Sequence, residues 1–164
     1  MEIGDIVVHK TEGLVKLVSK QLIETGSSKI SYLVFEPYFL QNKGNKIMLP
    51  DGKTDGLIRD TITAQKARYI LQSVVTLKSE NWENNNKERG LLFDEILRNG
   101  DPEKLSLMIY LVKRKENELK GTKKAISKHD GDCLRRAQTI LFSELAYLLN
   151  MSNEELNNAY QECL

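Results

Sequence analysis

Residues of the types that bind metals or act as nucleophiles are few in this sequence. It contains two histidines and two cysteines: His9, His129, Cys133 and Cys163. His129 and Cys133 are four residues apart, a spacing that suits a metal only together with further ligands. Because neither a CxxC nor an HExxH motif is present, the sequence predicts no metal site.

Motifs for nucleotide binding or acid–base catalysis are also absent. The glycine-containing turns include neither a Walker loop nor a GxGxxG sequence after a strand, so no cofactor is expected. No nucleophile stands beside a base in a catalytic pattern. We therefore predict that the protein is not an enzyme, and a small enzyme ranks third among the alternatives for its function.

Positive charge is concentrated in residues 113–136. This segment has nine basic and four acidic residues, whereas residues 137–164 have four acidic and no basic residues. A local basic segment in a chain of net charge +1 can attract a polyanion. The alternative is an ordinary solvated helix end and loop, and charge alone favours that alternative.

Trp82 is the only tryptophan and lies in the polar stretch of residues 79–87. Two interpretations are open. The ring could cover the helical core, or it could be an exposed anchor that binds a protein or unstacks bases. The second interpretation predicts that Trp82→Ala has a near-normal melting temperature, and the first predicts a large loss of stability.

The first 60 residues have the pattern of a β domain. Runs rich in β-branched and aromatic residues predict five strands, at residues 5–10, 14–22, 30–38, 46–49 and 56–59. Turn signals separate these runs, at residues 11–13, 26–28, 42–45 and 50–52. Several short strands with tight turns indicate a small, strongly bent sheet or barrel.

Helical periodicity begins after residue 60 and predicts a compact all-α domain of about five helices. A break is expected over residues 78–86 and a basic loop over residues 121–131, followed by a helix from Asp132. Capping residues predict four helix ends, at Thr63, Asn99-Gly100, Asp101-Pro102 and Ser152–Glu155. The predicted class is α+β, with domains at residues 1–60 and 61–164.

The bulk composition is that of a globular protein, with 40% hydrophobic and 29% charged residues. No apolar run approaches the roughly 18 residues that span a bilayer, and the first residues lack the features of a secretory signal. We therefore expect a cytoplasmic protein with reduced thiols and no membrane contact.

Several stretches resemble the CarD family of bacterial transcription regulators. Residues 3–8 (IGDIVV) followed by Gly13 are similar to the family's opening "VGD-VVY---G", a module shared with transcription-repair coupling factors. Asn81-Trp82 with Lys87 resembles "NW----K", and residues 99–101 (NGD) resemble "SGD". Residues 134–146 resemble the helix "LAKARQIL-GELA". The resemblance covers essentially the whole chain, and its helical half distinguishes CarD from the repair factors.

This resemblance implies a Tudor-like (SH3-like) bent sheet that binds the RNA polymerase β subunit through an edge strand. It also implies a helical domain at the upstream edge of the promoter bubble, where Trp82 enters the minor groove. The residues expected to bind polymerase are Lys46, Ile47, Met48, Leu49 and Pro50. Those expected to hold phosphates are Lys87, Lys128, Arg135 and Arg136. The resemblance implies a monomer that changes the stability of the open complex and has no strong sequence specificity. The protein is expected to associate with the nucleoid through RNA polymerase.

Two departures from the family pattern concern these contacts. Met48 stands where some family members have an arginine, and extra residues around 121–131 interrupt the match between the last large helices. The alternative to a DNA-contacting regulator is a protein-interaction module that binds polymerase or another partner without touching DNA.

Overall fold

The computed structural model describes residues 1–39 and 45–164. These residues form two compact units, residues 1–61 and 62–164. The first unit is a five-stranded antiparallel sheet, and the second contains five α-helices. The predicted α+β class is therefore confirmed. No helix in the described part of the chain is long and apolar enough to cross a membrane.

The sheet confirms all five predicted strands. They are β1 (Ile6–His9), β2 (Gly13–Thr25), β3 (Ser28–Pro37), β4 (Ile47–Pro50) and β5 (Ile58–Arg59). Their order across the sheet is β4-β3-β2-β1-β5, and every neighbouring pair is antiparallel. Residues 42–44 of the predicted turn at 42–45 lie outside the described residues.

The core of the sheet unit follows from the alternation of side chains along the strands. Its buried members are Val7, Val15, Leu17, Leu33, Phe35 and Leu49. The β2–β3 ladder shifts register between Leu17 and Ser19, and such a bulge bends the strand and increases its twist. At the far end of the hairpin, Gly26 has a φ of 59°. A glycine adopts that left-handed conformation at the first turn position without steric cost.

The helical unit contains α1 (Ala64–Gln72), α2 (Asn86–Asn99), α3 (Pro102–Leu119), α4 (Lys128–Leu149) and α5 (Asn153–Gln161). A 3-10 helix, Ser73–Ser79, follows α1. Residues 80–85 are not helical, which agrees with the predicted break. The inner face of α3 is fully buried at Leu105, Met108, Ile109 and Val112.

Capping interactions confirm the four predicted helix ends. The side chains of Thr63 and Asp101 accept backbone N–H bonds at the starts of α1 and α3. Gly100 ends α2 with a φ of 67°. Ser152 and Glu155 form a reciprocal capping box before α5. These ends were predictable because each depends on residues within one turn of the helix.

The start of α4 corrects the sequence prediction. The helix was expected from Asp132 but begins at Lys128, where the Ser127 hydroxyl accepts the Asp130 N–H at 3.1 Å. Gly131 was assigned to the end of a loop, yet it lies in the first turns of the helix. The additional turn matters because it directs Asp130 into the helical unit, where it is buried.

Candidate protein and nucleic-acid contact surfaces

Strand β4 forms one end of the sheet and is the candidate protein-contact strand. It pairs with β3, with Met48 opposite Val34 and Leu49 opposite Leu33. Leu49 is buried in the core of the sheet unit, whereas Met48 points to the other face and is 41% exposed. Met48 is therefore the side chain of β4 that a partner would meet most readily.

The backbone groups of β4 alternate between the two sides of the strand. The Asp51 N–H donates to the Ser31 carbonyl oxygen at 2.8 Å, so the same register turns the Leu49 N–H towards β3. The N–H of Met48 then points away from the sheet. Because Pro50 has no N–H, Met48 supplies the outward donor of β4.

The five predicted polymerase contacts differ in their exposure. Lys46 is exposed, and its ammonium lies 3.6 Å from the Glu36 carboxylate, an exposed pair that contributes little stability. Ile47 and Pro50 are half-buried. Leu49 packs in the core and its N–H points towards β3, so neither its side chain nor its N–H is available to a partner.

Residues 80–85 join the 3-10 helix to α2 and carry Trp82. On the N-terminal side of Trp82, the Arg114 guanidinium reaches this backbone from α3. It donates to the carbonyl oxygens of Lys78 at 3.3 Å and Glu80 at 2.8 Å. The segment is therefore fixed by a side chain from a distant part of the sequence.

Arg89 of α2 fixes the same segment on its C-terminal side. Its guanidinium donates to the Glu83 carbonyl oxygen at 2.7 Å and to the Asn86 side chain at 2.8 Å. It also donates to both Asp130 carboxylate oxygens, at 3.0 and 2.8 Å. This two-pronged geometry is the strong form of an arginine–carboxylate pair, and it joins α2 to α4.

The Arg89–Asp130 pair is buried on both sides. Burial by itself would raise the pKa of Asp130. Hydrogen bonds from Arg89 and Ser127, together with the Arg89 charge, outweigh that effect and lower the pKa. Asp130 is therefore ionised at neutral pH, and the charge of Arg89 is compensated.

The ring of Trp82 is half-buried, and it packs against both core and charged groups. The Arg89 guanidinium lies 4.5 Å from the ring centroid, and the Lys115 ammonium lies 5.9 Å from it. Phe93 meets the ring edge-to-face at 6.1 Å. Trp82 thus combines features of both interpretations, because it covers part of the core while keeping part of its surface in solvent.

The four basic side chains predicted to hold phosphates are all exposed: Lys87, Lys128, Arg135 and Arg136. Lys87 lies in the first turn of α2 and Lys128 in the first turn of α4. Arg135 follows two turns after Lys128 and forms an ion pair with Asp132. A phosphate contact by Arg135 would therefore compete with an existing partner.

The cations nearest Trp82 were not among the predicted contact residues. Arg89 was not selected, and Arg114 and Lys115 were treated as part of the general basic segment. One signal could have identified Arg89. Arg89 lies four residues before Phe93 and seven before Ile96, so it is on the buried face of α2. An arginine on a buried face requires a buried partner.

A second group of polar side chains also links α2 to α4. The His129 Nε2 atom lies 3.2 Å from the Asp94 Oδ1 atom and 3.5 Å from the Cys133 sulfur. Burial, followed by the charge of Asp94, raises the pKa of the Cys133 thiol to about 11. The spacing in the sequence had paired His129 with Cys133, but it gave no sign of Asp94.

Comparison with protein-family models found no matching family, and comparison with curated proteins found no matching sequence. The resemblance to CarD proteins therefore stands on the residues quoted above.

Proposed function

We propose that this protein is a CarD-type transcription regulator, not an enzyme. Its sheet unit, with a Tudor-like fold, binds the RNA polymerase β subunit. Its helical unit binds promoter DNA at the upstream edge of the transcription bubble and changes the stability of the open complex. The protein acts as a monomer in the cytoplasm, associated with polymerase.

The observation that carries this proposal is the position of Trp82. The ring lies on a non-helical segment whose backbone is held on either side by Arg114 and Arg89. A segment whose backbone is fixed in this way loses little conformational entropy when it binds. Apolar side chains inserted into the minor groove unstack base steps. At the fork, where the junction pair has already lost a neighbour, that insertion costs less.

The edge of β4 supports the polymerase contact. An added strand gains affinity from backbone hydrogen bonds and specificity from alternate side chains. Met48 presents both elements, since the register of β4 turns its N–H outward and its side chain is 41% exposed. The β subunit is accordingly proposed to pair with β4 around this residue.

The exposed basic residues position the helical unit on DNA. Contacts to phosphates fix orientation without reading base sequence, which agrees with the weak sequence specificity proposed here. Lys87 and Lys128 each lie in the first turn of a helix. Arg135 and Arg136 lie further along α4 and extend the same electrostatic attraction.

A binding experiment with forked promoter DNA, with and without polymerase, tests the DNA contact. The variant neutralises Lys87, Lys128, Arg135 and Arg136 to glutamine together. Removal of one phosphate contact should reduce the slope of log affinity against log salt by about 0.9. The matched control neutralises four exposed lysines of the sheet unit, Lys10, Lys20, Lys29 and Lys53. Equal slopes in the two variants would contradict the proposed DNA contact.

A second candidate function is a protein-interaction module without DNA contact. Leu91 and Leu92 on α2 favour it, because these leucines are 63% and 45% exposed. Exposed apolar side chains that lie together can mark a protein contact. This alternative predicts that the polymerase complex forms normally while the salt slope of DNA binding is unaffected by the four glutamine substitutions.

A further inference from the structure

We propose that Asp94, His129 and Cys133 form a Zn²⁺ site that links α2 to the start of α4. The site is independent of the proposed role in transcription. No metal was predicted from the sequence because local spacing pairs only two of these ligands. The third comes from a residue 35 positions before His129 along the chain.

The distances between the ligand atoms fit a tetrahedral metal. With metal bonds of about 2.0–2.2 Å to nitrogen or oxygen and about 2.3 Å to sulfur, ligand atoms lie roughly 3.3–3.6 Å apart. The His129 Nε2 atom lies 3.2 Å from the Asp94 oxygen and 3.5 Å from the Cys133 sulfur. All three atoms lie within 4.8 Å of one another, so small rotations bring them to one ion.

The elements that carry the ligands are held together by other contacts. His129 and Cys133 are four residues apart on α4 and therefore share one face of the helix. The neighbouring Arg89–Asp130 pair joins the same two helices.

Hydrogen bonds among these three side chains cannot satisfy all of their ligand atoms at once. The His129 Nε2 atom faces both a carboxylate and a thiol. It can donate a proton to Asp94 or accept one from Cys133, but it cannot do both. A metal ion satisfies all three atoms at once. On binding, the Cys133 thiol gives its proton to solvent, and a metal–sulfur bond replaces the S–H bond.

The ligand set favours Zn²⁺ over the hard divalent cations. Mg²⁺ and Ca²⁺ prefer oxygen ligands, whereas Zn²⁺ accepts imidazole nitrogen, thiolate sulfur and carboxylate oxygen together. The side chains of Asp94 and His129 are 52% and 50% exposed. Solvent therefore reaches the metal, and a water molecule completes the fourth position.

The test is titration of the full-length, reduced protein with Zn²⁺ alone, followed by calorimetry, and with Co²⁺, followed by absorption spectroscopy. We expect one equivalent to bind and a thiolate-to-cobalt charge-transfer band to appear. Asp94→Asn should weaken binding by at least the roughly 10- to 100-fold that loss of an outer-shell partner costs. Cys133→Ser should abolish the charge-transfer band.

The matched control is Cys163→Ser, which removes the other cysteine and should leave both signals unchanged. Because Cys133 is buried, its variant could be less stable, so each protein is melted in the presence of a chelator. Asp94 is exposed, so its variant is expected to keep the fold. The proposal is overturned if wild-type protein binds no equivalent of Zn²⁺, or if Asp94→Asn binds it as tightly.

Discussion

The two candidate contact surfaces of this protein are built in different ways. Strand β4 presents Met48 through regular structure, because pairing with β3 decides which backbone and side-chain groups face outward. Residues 80–85 have no such ladder. Their backbone is held instead by two arginine side chains, Arg114 and Arg89, from α3 and α2.

This difference determines what each surface depends on. The β4 surface depends on neighbouring backbone and should tolerate most side-chain changes on its exposed face. The position of Trp82 depends on Arg89, and the position of Arg89 depends on Asp130 in α4. A substitution at Asp130 should therefore disturb Trp82, although the two residues are 48 positions apart in sequence.

The largest effect is expected for Arg89→Ala. This substitution leaves the buried Asp130 carboxylate without its partner, and breaking a buried pair in this way costs about 3–5 kcal/mol. Chemical denaturation should show that loss in the free energy of unfolding. Arg114→Ala is the control, since it removes bonds to two carbonyl oxygens and should cost only about 1–2 kcal/mol. If the two variants lost the same free energy of unfolding, the buried Arg89–Asp130 pair would contribute no more than the bonds of Arg114 to the backbone.

Acid should weaken the same ion pair. The pKa of Asp130 is lower in the folded protein than its ordinary value of 3.8. Its contribution to stability is therefore complete above about pH 4–5 and decreases as the pH falls through the lower, folded pKa. Asp130→Asn should consequently show a shallower loss of stability on acidification than the wild type. The comparison is made by denaturation across the acidic range.

Features that depend on local sequence were predictable in both units. The five strands follow from short apolar runs, and the ends of α1, α2, α3 and α5 follow from capping residues within one turn. The start of α4 was not predicted, because Gly131 suggested a loop while the Ser127 cap lay inside that loop. Tertiary packing overrides the low helix propensity of one glycine.

Features that depend on residues far apart in the sequence could not be predicted from local sequence. Arg89 and Asp130 are 41 residues apart, and no local pattern pairs them. The same holds for Asp94 and His129. The sequence also did not decide how exposed Trp82 is, because its half-buried state results from contacts with Arg89, Phe93 and Lys115. Local sequence identified an unusual residue, but tertiary contacts determine its surroundings.

Trp82→Ala is expected to act on both stability and open-complex lifetime. Loss of the cation–π contact with Arg89 and of the edge-to-face contact with Phe93 should lower the free energy of unfolding by about 1–2 kcal/mol. This revises the near-normal stability that the wedge interpretation predicted. Stacking on a base contributes about 1–3 kcal/mol, so open-complex decay should accelerate roughly 5- to 150-fold.

The decay measurement is made at a temperature where wild type and variant are both folded. Tyr69→Ala serves as the control, because Tyr69 is an exposed aromatic residue of α1 that also lies beneath a lysine ammonium. It should leave the decay rate unchanged. If Trp82→Ala decays at the wild-type rate per folded molecule, Trp82 is a packing residue alone.

A smaller effect is expected at the β4 surface for Met48→Pro. Proline removes the outward N–H without removing a bond of the β3–β4 ladder, so the sheet should stay folded. Loss of one backbone hydrogen bond costs about 0.5–1.5 kcal/mol, and affinity for the polymerase β subunit should fall roughly 2- to 12-fold. Met48→Ala is the control, since it shortens the side chain but keeps the N–H. Equal affinities of the two variants would exclude backbone pairing at Met48.

The smallest effect, and one of opposite sign, is expected for Gly90→Ala. Gly90 lies within α2, where a glycine is about 0.5–1 kcal/mol less favourable than an alanine. The added Cβ would lie 3.6 and 3.7 Å from atoms of the His129 ring, which is ordinary van der Waals contact. The variant should therefore be more stable than the wild type by about 0.5–1 kcal/mol, as measured by denaturation. A loss of stability would show that α2 and α4 cannot accommodate an added methyl group beside His129. The Arg89–Asp130 contact, one residue away on each helix, would then also have little room to adjust.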